Sequence, residues 1–351
     1  MDDIGFLEAL LAIPSPSGQE DALAGYLIRQ MTVMGFEAHR DEAGNVIGAI
    51  GDPGAGRVIV LLGHMDTVPG LIPLREDGGR LYGRGAVDAK GPLAAFVLAA
   101  ARTAPLLQGT RILVIGAVEE EAHGRGARHL ARTMPAPDCT IIGEPSDWEG
   151  ITLGYKGMLT VDYRLSQPAS HSAGLQIGPA EKAVAFWNTL MAYASTTNGG
   201  RSDRFDTLDP ALREFRTFAD GLNEGVEMNI VVRLPPGREA GTLQGTIQSW
   251  CNGTGKLKFY PSDAPFQADK NTPVVRAMLR AIRAHDGRPR FKLKTGTSDM
   301  NIVGPAWGTP IIAYGPGDSA LDHTPEEHIL LEEFHRGVDV LTHALETLIE
   351  A

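Results

Sequence analysis

Four stretches of the 351-residue chain each end an apolar run with side chains that can ligate a metal or move a proton. "RVIVLL" runs into "GHMD", "RILVIGAV" into "EEE", "CTIIG" into "EPS" and "TPIIAYG" into "PGDSALDH". A fifth group, Asp88, stands in "YGRGAVDAKGPL", just ahead of a helical pattern. The candidates are therefore His64, Asp66, Asp88, the run Glu119 to Glu121, Glu144 and His323. Carboxylates brought into one pocket repel, and burial raises their pKa values unless a cation neutralises them. Imidazole and carboxylate without thiolate suit zinc, or cobalt or manganese in its place. Two histidines with three carboxylates exceed what one tetrahedral ion needs, so the set predicts a dinuclear centre with one bridging carboxylate. Paired ions of this kind polarise a carbonyl and activate water for hydrolysis. Asp66 follows His64 by two residues in an extended segment, placed to accept the other ring N–H and so fix the tautomer. A lone histidine after a strand is commonly a surface residue and a glutamate run a solvated patch. Recurrence at four independent strand ends carries the reading.

For these groups to converge, their strands must lie side by side and point the same way, because sites in parallel sheets form beyond the carboxyl ends of the strands. "RVIVLL", "RILVIGAV" and "CTIIG" are apolar on both faces, as strands of a doubly covered, largely parallel sheet must be. "GQEDALAGYLIRQMTVMGF", "GPLAAFVLAAARTA" and "GARHLARTM" have helical spacing, and the first 152 residues read as α/β. From "GYKGMLTVDYRLS" onward apolar and polar residues alternate, the pattern of a sheet with one wet face. The order strand, helix ("GPAEKAVAFWNTLMAYA"), irregular segment, strand ("VEMNIVVRL"), helix ("GREAGTLQGTIQSWC"), strand ("KLKFYP") predicts an inserted α+β, ferredoxin-like domain over 153–264. The α/β pattern then resumes, so residues 1–152 and 265–351 are expected to form one catalytic domain.

Composition narrows the partners. A formal charge of -11 opposes binding to a phosphate backbone or an anionic membrane, so neither nucleic acid nor membrane is expected. Two cysteines, Cys139 and Cys251, build neither a disulfide framework nor a thiolate cluster, which fits a reducing, cytoplasmic setting. The acidic start "MDDIGFLEALLAIPSPSG" has no basic leader, and "PLAAFVLAAA" is too short to span a bilayer. "NGT" at 252–254 reads as an ordinary turn, not a glycosylation site. No P-loop lysine context and no G-x-S-x-G elbow is present.

Taken in order, "GHMDTVPG", "LYGRGAVDAKGPLAAF", "GAVEEEAHGRGAR", "IIGEPS", "SHSAG", "GTSDMN" and "DHTPEEHI" resemble the dinuclear-zinc amidohydrolases of the aminoacylase and carboxypeptidase group, over nearly the whole chain. The resemblance implies a zinc-peptidase-like catalytic domain with an inserted dimerisation or lid domain. It implies two zinc ions, with cobalt able to replace them, held by His64, Asp88, Glu121, Glu144 and His323, with Asp88 bridging. Asp66 would support His64, and Glu120 would be the general base. The group usually reads Asp-Glu-Glu where this chain has three glutamates. Spacing to "GAR" favours Glu120 and Glu121, with Glu119 and Glu120 as the alternative.

A homodimer is implied as well, with His171 donated to a neighbouring site to hold the oxyanion. Arg233 would grip the substrate carboxylate, assisted by Lys156 and by Gly296, Thr297 and Ser298; a structural salt bridge is the other reading of both Lys156 and Arg233. Compact length and the wording of "GAVEEEA" and "GYKGM" look most like the hydrolases that free lysine or ornithine from an amino-group carrier protein in lysine and arginine biosynthesis. Deacetylation of N-acetylornithine or N-acetyl-lysine, desuccinylation of N-succinyl-diaminopimelate and dipeptide or carboxypeptide cleavage share the same motifs. "HDGRPRFKLK", with Arg288, Arg290, Lys292 and Lys294, offers a basic docking segment for an acidic carrier or, alternatively, a charge-alternating solvated strand.

Overall fold

The computed structural model describes residues 2–171, 173–251 and 255–350; the "NGT" stretch lies outside them. The chain divides into two compact units, one of Met1–Gly154, Ala268–Leu293 and Ser298–Ala351, the other of Tyr155–Gln267 and Lys294–Thr297.

The main sheet of the first unit contains β1 (Glu37–Arg40), β2 (Val46–Gly51), β3 (Arg57–His64), β4 (Thr110–Ala117), β5 (Cys139–Ile142), β6 (Gly150–Tyr155), β7 (Arg290–Lys294) and β8 (Ile311–Ala313). They run in the order β1-β2-β4-β3-β5-β8-β6, with β7 paired to β6. The four middle strands β4, β3, β5 and β8 are mutually parallel, while β1, β2 and β6 join antiparallel. Register decides where the chemistry falls. His64 lies beside Ala117, Leu62 beside Ile142, and Ala313 also beside Ile142, so the four parallel strands finish at one level.

Both faces are covered, as the apolar runs require. Helix Lys90–Thr103 is buried along almost its whole length, and helix Leu331–Glu350 packs Phe334, Val338, Leu341 and Leu345 into the same core. Helix Pro273–Ala284 begins where the Thr272 hydroxyl accepts the Val275 N–H and Pro273 takes the first turn, where no N–H is needed. Arg75–Asp77, Arg80–Tyr82 and His328–Leu330 make a small three-stranded sheet of their own.

The second unit has the order strand Gly157–Pro168, helix Pro179–Asn198, strands Asp209–Ala219 and Asn223–Leu234, helix Ala240–Cys251, strand Lys256–Phe259. Its sheet is wholly antiparallel, with Asn223–Leu234 and Gly157–Pro168 in the middle, which is the ferredoxin-like arrangement. One correction concerns Asp209–Ala219, expected to be irregular. It is an edge strand whose side chains are nearly all exposed, so it carries no apolar alternation, and ten residue pairs with Asn223–Leu234 define it instead. Lys294–Thr297 go with this unit, held by the Lys156 N–H donating to the Lys294 carbonyl at 3.1 Å.

Candidate metal centre

Within the first unit the strand ends deliver their polar residues to one place. His64 ends β3, Glu120 and Glu121 follow β4, Glu144 follows β5, and His323 lies in the loop after β8. Asp88 comes from the segment leading into helix Lys90–Thr103. Its two oxygens face opposite ways: Oδ1 is 3.2 Å from His64 Nε2, and Oδ2 is 3.0 Å from His323 Nε2. Glu144 Oε1 stands 4.0 Å from His64 Nε2 and Glu121 Oε1 2.9 Å from His323 Nε2. The result is two half-sites, His64 with Glu144 and His323 with Glu121, sharing Asp88. Among the described residues, ligand atoms of His64, Asp88 and Glu121 all fall within 4.8 Å of one another. His64, Asp88 and Glu144 are buried, whereas His323 opens to solvent.

The remaining ring nitrogen of His64 is committed. Nδ1 lies 3.0 Å from the Asp66 main-chain carbonyl, which can only accept, so Nδ1 carries the hydrogen and Nε2 is turned to Asp88. This differs from the expectation that the Asp66 carboxylate would take that hydrogen; its Oδ1 is 3.5 Å away. The carboxylate instead fastens the neighbouring loop, accepting the Glu120 N–H on Oδ1 and the Glu121 N–H on Oδ2, each at 3.0 Å, and the Ser17 hydroxyl on Oδ2 at 2.7 Å.

The three glutamates are sorted by backbone conformation. Glu119 has φ +57°, a left-handed geometry that costs a non-glycine residue about 1–3 kcal/mol. Its N–H goes to the Glu20 carboxylate at 3.1 Å and its own carboxylate to Arg125 Nε at 2.8 Å, which turns it out of the cluster. Glu121 faces His323, and Glu120 lies in the field of His64, Glu144, Glu121 and Asp299. The "GAR" spacing has a physical reason. A Cβ at Gly126 would collide with Asn45 and the Val118 main chain, so helix Arg125–Thr133 can start this close to β4 only with glycine there.

The electrostatics call for cations. Burial pushes the Glu120 carboxyl well above its usual range, and Glu144, Glu121 and Asp299 push it further against the relief from His64. Burial and the Asp88 charge likewise raise Glu121. Burial would raise Asp88 too, but the hydrogen bonds to His323 and His64 outweigh it and hold the group below the carboxylate range. Those bonds to Asp88 and Glu121 push His323 up to about 10. For His64, burial disfavours the charged ring, yet Asp66, Asp88 and Glu120 prevail and raise it well above its ordinary value. A carboxylate-rich pocket with two imidazole Nε2 atoms aimed into it is a donor set for divalent cations of the zinc type.

The other predicted site residues are distributed over both units. Ser298, in the first unit, is buried, and its N–H is spent on Asn301 Oδ1 at 2.9 Å. In the second unit Arg233 Nη1 donates to the Thr297 hydroxyl at 3.1 Å, next to Gly296. His171 is exposed, its Nδ1 accepting the Ala173 N–H at 3.1 Å. Lys156 departs from the expected substrate-binding role. Its ammonium is fully buried and donates to the Arg204 carbonyl at 2.8 Å, the Thr207 carbonyl and Asp209 Oδ2 at 2.7 Å, so its three hydrogens are used in holding the unit together. Two of the four cations of the basic segment are paired with carboxylates, Arg290 with Glu149 at 3.0 Å and Lys292 with Asp147, which favours the solvated-strand reading. Sequence reasoning missed Ser17, which donates to the Asp66 carboxylate, and Glu20, Glu327 and Glu333, which hold main chain; none carries a strand-end signal.

A parallel-sheet α/β unit with two half-sites sharing an aspartate beyond its strand ends, joined to a ferredoxin-like unit, defines a dinuclear metallohydrolase architecture. The chain belongs to peptidase family M20/M25/M40, whose model matches residues 60–347, and it is a metal-dependent amidohydrolase. It is 42% identical over 346 residues to a [LysW]-lysine hydrolase of Deinococcus radiodurans, covering 97% of this chain and 95% of that protein. It is 40% identical over 344 residues to a putative [LysW]-lysine/[LysW]-ornithine hydrolase of Pyrococcus furiosus, covering 98% and 96%. An M20 family metallo-carboxypeptidase from Sulfolobus solfataricus shares the fold with TM-score 0.84 at 18% identity over the whole of both chains. A Bacillus subtilis structure of the same fold, TM-score 0.71 at 14% identity over 99% and 98% of the two chains, is described as a dinuclear metal binding peptidase. Among the described residues, no helix is long and apolar enough to cross a membrane.

Proposed function

We propose that the protein hydrolyses the amide linking the α-amino group of lysine or ornithine to a glutamate side chain of an amino-group carrier protein, in lysine and arginine biosynthesis. The observation that carries this reading is end-to-end similarity to hydrolases named for such conjugates, combined with the shared-aspartate cluster. His64, Asp88, Glu121, Glu144 and His323 are the residues that would hold two zinc ions, or cobalt in their place. When bound, these ions supply Lewis acidity to the scissile carbonyl and to the attacking water.

The chain's own groups do the rest. Glu120 takes the proton from the attacking water as the new C–O bond forms, then returns it to the departing α-amine as the C–N bond breaks. Burial and the neighbouring carboxylates raise the proton affinity of Glu120 in the metal-free chain. His171, contributed by the second copy of a homodimer, donates to the oxyanion, and Arg233 with the Gly296 and Thr297 main chain grips the carboxylate of the amino acid. An open strand edge at Asp209–Ala219 with Leu212 and Phe215 exposed supports the dimer. A cytoplasmic location belongs to the same reading, with Cys139 and Cys251 buried as free thiols.

The test is amine release by zinc- or cobalt-loaded protein from carrier-linked lysine and ornithine, beside N-acetylornithine, N-succinyl-diaminopimelate and dipeptides. The carrier-linked substrates are expected to be preferred by kcat/KM. Preference for a free N-acyl amino acid or a dipeptide would discard the carrier and keep the mechanism.

A further inference from the structure

Glu327 is fully buried and lies four residues past His323 in "DHTPEEHI". Its Oε1 accepts the main-chain N–H of Val87 at 3.1 Å and of Asp88 at 3.2 Å. Its Oε2 accepts Arg84 Nη1 at 2.8 Å, and Arg84 is itself tied to the Thr324 carbonyl at 3.3 Å and through Nε to the Gly70 carbonyl at 3.1 Å. The two chain segments are further joined where the Gly83 N–H meets the Glu327 carbonyl at 3.3 Å and where His328–Leu330 pairs with Arg80–Tyr82. One side chain thus fastens the stretch that carries Asp88 to the stretch that carries His323.

The consequence is geometric. Asp88 reaches both half-sites only if its carboxylate presents Oδ1 to His64 and Oδ2 to His323 together, at 3.2 and 3.0 Å. Main-chain rotation at Val87–Asp88 would swing that carboxylate toward one imidazole at the expense of the other. Polar partners that orient a metal-binding group commonly change affinity by about 10- to 100-fold when removed.

We propose that Glu327 is a positioning residue that, by capping the Val87 and Asp88 N–H groups, holds Asp88 across both half-sites and so secures binding of the second metal ion. This rests on the dinuclear reading above. Reach and charge make opposite predictions for it. Glu327→Gln keeps an oxygen at the position of Oε1 while losing the charge and turning an amide N–H toward Arg84; Glu327→Asp keeps the charge but withdraws the oxygens by one methylene.

The experiment is a cobalt titration of metal-free full-length protein, followed by calorimetry and visible absorption, with circular dichroism to confirm folding. Wild type is expected to bind two ions. Glu327→Gln should bind both ions near wild-type affinity at a lower melting temperature, since its amide N–H faces Arg84, whereas Glu327→Asp and Glu327→Ala should keep the first ion and weaken the second about tenfold or more. If Glu327→Ala does not fold, the Asp and Gln variants decide. Wild-type affinity for both ions in Glu327→Asp, or a larger loss in Gln than in Asp, would overturn the positioning role. A wild-type protein that takes up only one ion would instead remove the dinuclear reading, and this proposal with it.

Discussion

The Asp66 carboxylate accepts the main-chain N–H of Glu120 at 3.0 Å, so the residue two positions after His64 also fixes where the Glu120 side chain begins. Its other oxygen does the same for Glu121, and its carbonyl fixes the His64 ring. One residue therefore couples the end of β3 to the end of β4.

Replacing Asp66 by Asn leaves an amide nitrogen where one of two N–H donors needs an acceptor, which sets two donors against each other in a buried place. Asp66→Asn is expected to lower kcat by about 10- to 100-fold with a smaller change in KM, at reduced metal content. Steady-state kinetics with metal analysis would check it, and a variant with wild-type kcat would count against the coupling.

Glu120→Gln is expected to retain metal and lose turnover by about two to four orders of magnitude, the range general acid–base groups contribute. The same change has a stability signature. Burial raises the folded-state pKa of Glu120, so the folded metal-free chain holds its proton more tightly than the unfolded chain. Stability then falls as pH rises from the ordinary value of 4.5 through the raised folded value, and the full cost is present above it. The metal-free variant should melt above the metal-free wild type at neutral pH, with the gap closing as pH falls toward 4.5. A gap that widens in acid would reverse the sign and refute the assignment.

Metal binding should release protons. With its pKa pushed up to about 10 by Asp88 and Glu121, His323 is protonated in the metal-free chain at neutral pH. That proton stabilises the metal-free fold fully below the ordinary value of 6.5 and is lost as pH rises through about 10. A metal needs the neutral ring, so affinity should climb about tenfold per pH unit for each proton displaced. Calorimetry in buffers of different ionisation enthalpy measures the number released; none at about pH 7.5 would contradict the ligand role of His323.

His171→Ala and Lys156→Met should separate cleanly. Loss of an oxyanion donor lowers kcat by about 100- to 1000-fold with little change in KM or melting temperature. Loss of the buried Lys156 ammonium takes its donor from Asp209 Oδ2 and from the Arg204 and Thr207 carbonyls and should cost about 3–5 kcal/mol of stability, measured by denaturant unfolding. A Lys156→Met protein of wild-type stability with a raised KM would return that lysine to the substrate site.

Much of this architecture was legible because parallel strands buried on both faces cannot hide. Each of "RVIVLL", "RILVIGAV", "CTIIG" and "TPIIAYG" contains a strand of the main sheet, and each passes directly into residues whose polarity the core would not tolerate. Strand Asp209–Ala219 was not legible, because an edge strand exposed along its length has no burial pattern to read. Glu327 was hidden for a different reason. Its partners are main-chain N–H groups some 240 residues away, and a backbone donor looks the same at every position in a sequence.

Residue type and local order alone therefore determined the fold class, the family and the chemical character of the centre, since patterning along a strand and the residue types just beyond its end are local properties. Tertiary structure alone decided which oxygen faces which imidazole, that Glu119 turns to Arg125 while Glu121 meets His323, and that the Lys156 ammonium is consumed inside its own unit. Those outcomes depend on strand register and on the competition of several acceptors for one hydrogen. Both arise only when segments distant in the chain are brought within about 3 Å of each other.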